Sequence, residues 1–235
     1  MKMFTISDSS RKIYKSVNKP IGTIPVYYTP KSLSKGRYVN NIKPIGYSVQ
    51  GTPTIQNGIV SGFSGTSYVY LSQGFNPGSF PWESVTKARV NSFTNKCTII
   101  SYQFSGTKSF QLSVGNGGNA GKLFFYGSTD GSHTDIANNV MSSLTINTNT
   151  WYWFKVRFTG TAYEVLVSED NESWTTYITV SSTLIIRPNT QNSYGFNFDA
   201  YPEVLDGEVD LHETYIKYAG IYWFRGDMPN GLNSL

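Results

Sequence analysis

A chain of 235 residues with 14% charged and 15% aromatic side chains is long enough to bury one core and too rich in aromatic and β-branched residues to be disordered throughout. Its charge content lies well below the roughly 25% of an average soluble protein, and Ser, Thr, Asn and Gly fill the gap, a mix that favours many short strands joined by tight turns. The single Cys97 excludes an internal disulfide, no Cys/His cluster has zinc-ligand spacing, and no cofactor or metal is expected.

The first residues, MKMFTISDSSRKIYKS, contain no continuous apolar segment of the kind a secretory signal needs, and nothing later approaches the roughly 18–20 apolar residues of a membrane span. Residues 1–43 carry nine Lys or Arg and one acid, Asp8, whereas the remainder carries ten basic and fourteen acidic residues. The net charge of +4 therefore divides into a basic N-terminal arm and an acidic body. Pro20, Pro25, Pro30 and Pro44 oppose regular helix in this arm. A basic, extended segment ahead of an acidic globule has the form of a docking arm, here residues 1–46, with Arg11, Lys12, Lys15, Lys19, Lys31, Lys35 and Arg37 as its contacts. Nucleic acid is not the expected partner: Tyr14, Tyr27, Tyr28 and Tyr38 offer rings for stacking, but no recognised module surrounds them.

From residue 47 to 235 the pattern is strands and turns. Strands are expected at 67–71, 82–90, 97–104, 110–114, 122–128 and 220–226. Only DIANNVMSSL, 135–144, has helix-like spacing, through Ile136, Val140 and Leu144, and its Asn pair favours a loop or a single turn over a packed helix. The clearest strand is WYWFKVRF, 151–158, whose Tyr152, Phe154, Val156 and Phe158 form one apolar face while Lys155 and Arg157 point outward to solvent. TGT turns the chain into YEVLVS, and EDNE turns it again into SWTTYITV, an antiparallel meander. About a dozen strands at this spacing predict an all-β protein, a two-sheet antiparallel jelly-roll sandwich.

The succession NGIVSGFSGTSYVYL, FNPGSFPWESVTKARV, KLFFYGSTDGS, NTNTWYWFKVRFTGTAYEVLVSEDNESW and GEVDLHETYIKYAGIYWFRG resembles the concanavalin A-like, or laminin G-like, domains of bacteriophage tail-fibre and other virion structural proteins. The resemblance covers about residues 47–228. It implies a lectin-type sandwich, made in a host cytoplasm and carried on a virion in multiple copies or as a homo-oligomer. The basic arm would then contact other virion proteins, and the sandwich would attach to or decorate a surface, a host glycan among its partners.

Glu208, Asp210 and Glu213, in DGEVDLHE, resemble the E-x-D-x-x-E array of laminarinase-type β-glucanases, where such carboxylates serve as nucleophile, helper and acid/base. That makes a glycoside hydrolase the first alternative and a free carbohydrate-binding module the second. Chain order opposes the hydrolase, because only 22 residues follow Glu213 to build the rest of a cleft. Non-catalytic attachment is therefore the favoured expectation. Glycan binding needs an exposed ring beside amides or carboxylates, and the loops NPGSFPW and FDAYPE offer Phe80, Trp82, Asp199 and Tyr201. Asp130 or Asp170 would be the ligands of an edge calcium ion, but no dense carboxylate loop supports one.

Overall fold

A computed structural model describes residues 47–71, 78–104, 107–131, 135–188, 192–195, 203–219 and 221–226. The expected docking arm, 1–46, lies outside the described residues.

The body is two packed antiparallel sheets. One has seven strands in the order β1 (Tyr47–Gln50), β4 (Tyr68–Leu71), β13 (Asn192–Tyr194), β6 (Cys97–Phe104), β7 (Thr107–Val114), β8 (Lys122–Gly127) and β9 (Ala137–Thr145). The other has eight: β12 (Thr175–Ser181), β11 (Ala162–Ser168), β10 (Trp151–Phe158), β5 (Trp82–Val90), β14 (Gly207–Tyr218), β3 (Ile59–Ser61) and β2 (Thr54–Gln56), with β15 (Ile221–Arg225) also paired to β14. Among the described residues a 3-10 turn at Gly117–Asn119 is the one helical element.

Period-two alternation builds the core. Tyr152, Phe154, Val156 and Phe158 of β10 are buried, as are Tyr163, Val165 and Val167 of β11, which lie in register against them. On β5 the inward positions are Trp82, Ser84, Thr86, Ala88 and Val90, and across the gap β7 supplies Phe110, Leu112 and Val114. Trp82 stacks on Phe110 with centroids 5.5 Å apart, Phe110 stacks on Tyr102 at 4.2 Å, and Tyr163 stacks on Phe158 at 4.7 Å. These rings join the two sheets at the β5 N-terminal end. At the opposite end the core narrows to Ala88, Val90, Cys97, Val114 and Leu123.

Residues 135–144 depart from expectation. They form the edge strand β9, with neither the loop nor the single turn that the Asn pair favoured. Asn139 takes the left-handed conformation (φ 50°), and the register with β8 shifts between Phe125 and Gly127. That irregularity accounts for part of the helix-like spacing: Ile136 is buried and Val140 packs against the core on either side of Asn139, whereas Leu144 is 42% exposed. Lys155 is a second correction. Expected to be reachable by solvent, it is only 9% exposed, because the Trp174 ring lies 3.9 Å from its ammonium and Glu83 lies 3.5 Å away. Burial pulls the pKa of its ammonium down, and Glu83 opposes that shift.

The two turns STDG and SEDN close by one design. Ser128 and Ser168 end their strands, accept the amides of Gly131 and Asn171 at 2.9 Å each, and approach Asp130 and Asp170. Gly131 and Asn171 both have positive φ, 84° and 62°. Asp170 also accepts the amides of Glu172 and Ser173 at 2.8 and 2.7 Å, which holds its carboxyl well below the usual carboxylate range.

Phe158→Ala should lower stability by about 3–5 kcal/mol, whereas Arg157→Ala, which breaks only the half-exposed pair with Glu164, should cost about 1 kcal/mol or less, read by denaturant titration. A carboxyl with a lowered folded pKa supports the turn fully above its unfolded value near 4 and loses that support as pH falls through the folded one. The Glu172 and Ser173 amides should therefore keep their exchange protection below pH ~4 and lose it only on further acidification.

Candidate functional site

Glu208 and Asp210 of the acidic array on β14 lie on the outer face of the eight-stranded sheet, each paired with a cation. Glu208 pairs with Arg89 at 2.9 Å and Asp210 with Lys87 at 3.6 Å, each directly across from its partner on β5. The ladder continues through Glu83, which contacts Lys217 at 3.1 Å and Lys155 at 3.5 Å, to Arg157 and Glu164. Lys87 also lies 4.4 Å from the Trp153 ring, and Arg89 5.4 Å from that of Trp151. After Asp210 the register with β5 jumps to Tyr215, so residues 211–214 bulge. Asp210 Oδ1 accepts the His212 amide at 3.1 Å, and Thr214 Oγ1 donates to the Asp210 carbonyl at 3.0 Å. The His212 ring rests on Gly58, where a Cβ would come within 2.2 Å of it. Glu213 falls within the bulge. The array thus anchors a bulge through which β14 changes neighbours from β3 to β15.

A cleft opens at the C-terminal end of β5, beyond Val90. It has a volume of about 370 Å³ and is lined by Ser61, Gly62 and Phe63 after β3, by Asn91 and Asn95 after β5, and by residues 204–207 ahead of β14. The Asn91 amide donates to the Asp206 carbonyl at 2.8 Å, continuing the β5–β14 ladder one step past the strand ends. The loop after β5 is braced by Ser92 and Thr94, whose hydroxyls lie 2.7 Å apart. Phe63 is half-buried, with its ring against the backbone of Gly195, where a Cβ would approach to 2.7 Å; Gly195 has φ 72°. Leu205 donates to the Gly195 carbonyl at 2.9 Å. An aromatic ring, two amides and one carboxylate therefore converge on a concave, half-polar surface, a set that suits a polyhydroxyl ligand.

Glu203 fixes one wall of this cleft. Its Oε2 accepts from Thr98 Oγ1 at 3.1 Å, Gln111 Nε2 at 2.7 Å and Ser113 Oγ at 2.8 Å, and Oε1 pairs with Lys96 at 2.7 Å. Those partners stand on β6, β7 and the loop before β6, so the carboxylate ties residues 203–207 to the seven-stranded sheet. Beneath it Cys97 is 1% exposed, and burial, reinforced by the charges of Glu203 and Asp206, pushes its thiol up to about 12. Cys97 is a core side chain and no nucleophile.

Of the residues expected to meet a glycan, Trp82 does not stand at a surface: it is 3% exposed, because its position on β5 faces the opposite sheet. Phe80 is 58% exposed and meets Tyr218 edge-on at 5.7 Å, at the end of β5 remote from the cleft. Asp199 and Tyr201 lie outside the described residues, in the connection between Gly195 and Glu203. Asp130 and Asp170 serve the turns described above, and no group of three His, Cys, Asp or Glu suited to a metal occurs among the described residues. Phe63, Asn91, Asn95 and Asp206 carry no motif; their one sequence signal is that each follows or precedes a strand end in a turn-rich stretch.

The fold is a concanavalin A-like jelly roll. Similarity among solved structures includes the binding domain of botulinum neurotoxin DC in complex with SialylT (12% identity, TM-score 0.51) and that of botulinum neurotoxin serotype C1 (13%, 0.51), each covering 78% of this chain and 45% of that one. The carbohydrate-binding module CBM66 from Bacillus subtilis is similar at 10% identity and TM-score 0.44, over 74% of this chain and 96% of that one. The chain thus spans less than half the length of the toxin chains it matches. At these identities the likeness is one of fold. No family model and no curated protein matches the sequence.

Glu203→Ala should remove the shared acceptor of Thr98, Ser113, Gln111 and the Lys96 ammonium, leaving the Gln111 amide its bonds to Thr98 and Ser113. A loss of about 1–3 kcal/mol is expected in denaturant unfolding, with faster amide exchange at Leu205 and Gly207 than at Phe154 or Val165.

Proposed function

We propose that this chain is a non-catalytic glycan-binding sandwich whose end cleft takes a terminal sugar. The observation that carries the reading is the convergence of Asp206, Asn91, Asn95 and the half-buried Phe63 ring in one cleft at the strand ends. A sugar ring presents hydroxyls that donate and accept along its edge and C–H groups on its face. The carboxylate and amides complement the first, and an aromatic ring the second. A volume of about 370 Å³ sits near the small end of small-molecule sites, which run roughly 300–1,000 Å³, and suits a chain terminus better than a long polysaccharide. The fold, shared with lectin-type and carbohydrate-binding domains, supports the same reading. Hydrolysis through Glu208 and Asp210 is not favoured, since both carboxylates are paired to β5 cations on the outer face of the eight-stranded sheet and neither lines the cleft.

The reading extends to a setting. The basic charge of residues 1–43 against the acidic remainder, together with the resemblance to virion domains, supports a protein that is carried in several copies on a phage particle and docked by its arm. Opposite charge on the receiving protein would speed that encounter.

The full-length chain should bind a subset of oligosaccharides on a glycan array with micromolar to millimolar affinity. Phe63→Ala and Asn91→Ala should each weaken that binding about tenfold or more while leaving the β-sheet spectrum unchanged. Binding that survives both substitutions would place the ligand elsewhere. Reversing Lys12 and Lys15 to Glu should reduce recovery of the protein with assembled particles, and recovery at wild-type level would remove the docking role.

A further inference from the structure

We infer that the cleft selects neutral glycans against acidic ones, with Asp206 as the residue that determines the choice. The inference rests on the glycan-binding reading and adds a charge rule to it.

The lining carries one ionisable side chain. Of Ser61, Gly62, Phe63, Asn91, Asn95, Val204, Leu205, Asp206 and Gly207, only Asp206 is charged, and it is exposed. An acidic sugar entering the cleft needs a cation to receive its carboxylate, and the nearest basic side chains in sequence are committed elsewhere. Lys96, next to Asn95, is held by Glu203 Oε1 at 2.7 Å and lies over the Phe124 ring at 5.5 Å. Arg89, two residues before Asn91, projects to the outer face of the eight-stranded sheet, where Glu208 takes it at 2.9 Å. Neither can turn toward a ligand without stranding its own acid. The loops that close the cleft, 61–66, 91–95 and 203–207, contain no Lys, Arg or His.

Among the described residues the charge that lines this end of the sandwich is therefore negative. Glu203 and Asp206 stand three residues apart in the segment that walls the cleft, and among the described residues Glu203 has a partner cation, Lys96, and Asp206 has none. A neutral sugar can donate hydroxyls to the Asp206 carboxylate. A sialic or uronic acid at the same position would bring a second negative charge beside it, a repulsion that is strongest at low ionic strength. The amides of Asn91 and Asn95 serve both kinds of sugar and do not discriminate.

The test measures ratios. The full-length chain is titrated against immobilised neutral oligosaccharides ending in glucose, galactose or mannose, and against the same scaffolds capped with sialic or glucuronic acid. Neutral termini should bind about tenfold or more tightly than their acid-capped forms at low salt, and the ratio should shrink as salt rises. Asp206→Asn keeps the shape of the side chain and one acceptor oxygen while removing the charge, and it should bring the ratio toward one. Acid-capped termini that bind as well as neutral ones would overturn the charge rule and leave glycan binding standing. So would a ratio that Asp206→Asn does not change. Failure of every terminus to bind would overturn the glycan reading, and the charge rule with it.

Discussion

The constraint on which the rest depends is the ring stack that spans the two sheets. Trp82 of β5 lies on Phe110 of β7, and Tyr163 of β11 meets both Trp82 and Phe125, at 6.2 and 6.0 Å. Large planar side chains set the separation of the sheets and leave little freedom to slide. Most of them gather toward one extremity, while Tyr152 stands level with Ala88 toward the other. Because the core there is complete, the other extremity can close with small residues and loops, and its backbone ends are free to shape a concavity. Glu203 takes over there the work that stacked rings do at the far end, tying a connecting segment to the seven-stranded sheet with hydrogen bonds in place of apolar contact.

The outer face of the eight-stranded sheet solves a different problem. Among the described residues no third layer covers it, yet Val85 at its centre is fully buried. The cover is made of long side chains laid flat: Lys87 and Lys155 place their stems over the sheet and their ammonium groups against Trp153 and Trp174. Acids from the adjacent strands neutralise them. A chain with few charges places many of them here, and the E-x-D-x-x-E array belongs to that pattern: Glu208 and Asp210 meet β5 cations, and neither lines the cleft. Each such pair adds little free energy where it is exposed, so the face is held as much by packing of aliphatic stems and rings as by attraction between charges.

How much of this could be read from residues alone depends on the range of the interaction. The β10–β12 meander was legible because alternation and turn chemistry are local: the paired S-x-D turns announced themselves, and Phe154, Val156 and Phe158 took the expected face. Strand β9 was obscured by Asn139, whose left-handed backbone breaks the period that defines a strand. The burial of Trp82 was in principle readable, since Glu83, Lys87 and Arg89 occupy the alternate positions of the same strand and leave Trp82 facing inward. The cleft was not. Phe63, Asn91 and Asp206 are separated by most of the chain, and only the pairing of β14 with both β3 and β5 brings them together.

The direction of the strands has a last consequence. β1 begins at Tyr47, paired with Leu71 and edge-on to Phe224 at 5.1 Å, in the half of the sandwich where the rings gather. The chain then runs through β2 and β3 to reach the cleft at Gly62. A body gripped through the residues before Tyr47 is held by its rigid, aromatic pole and presents its polar pole outward. A pull between those residues and the cleft would pass lengthwise along β5 and β14, so it would shear many ladder hydrogen bonds together, whereas a sideways pull would open them one after another.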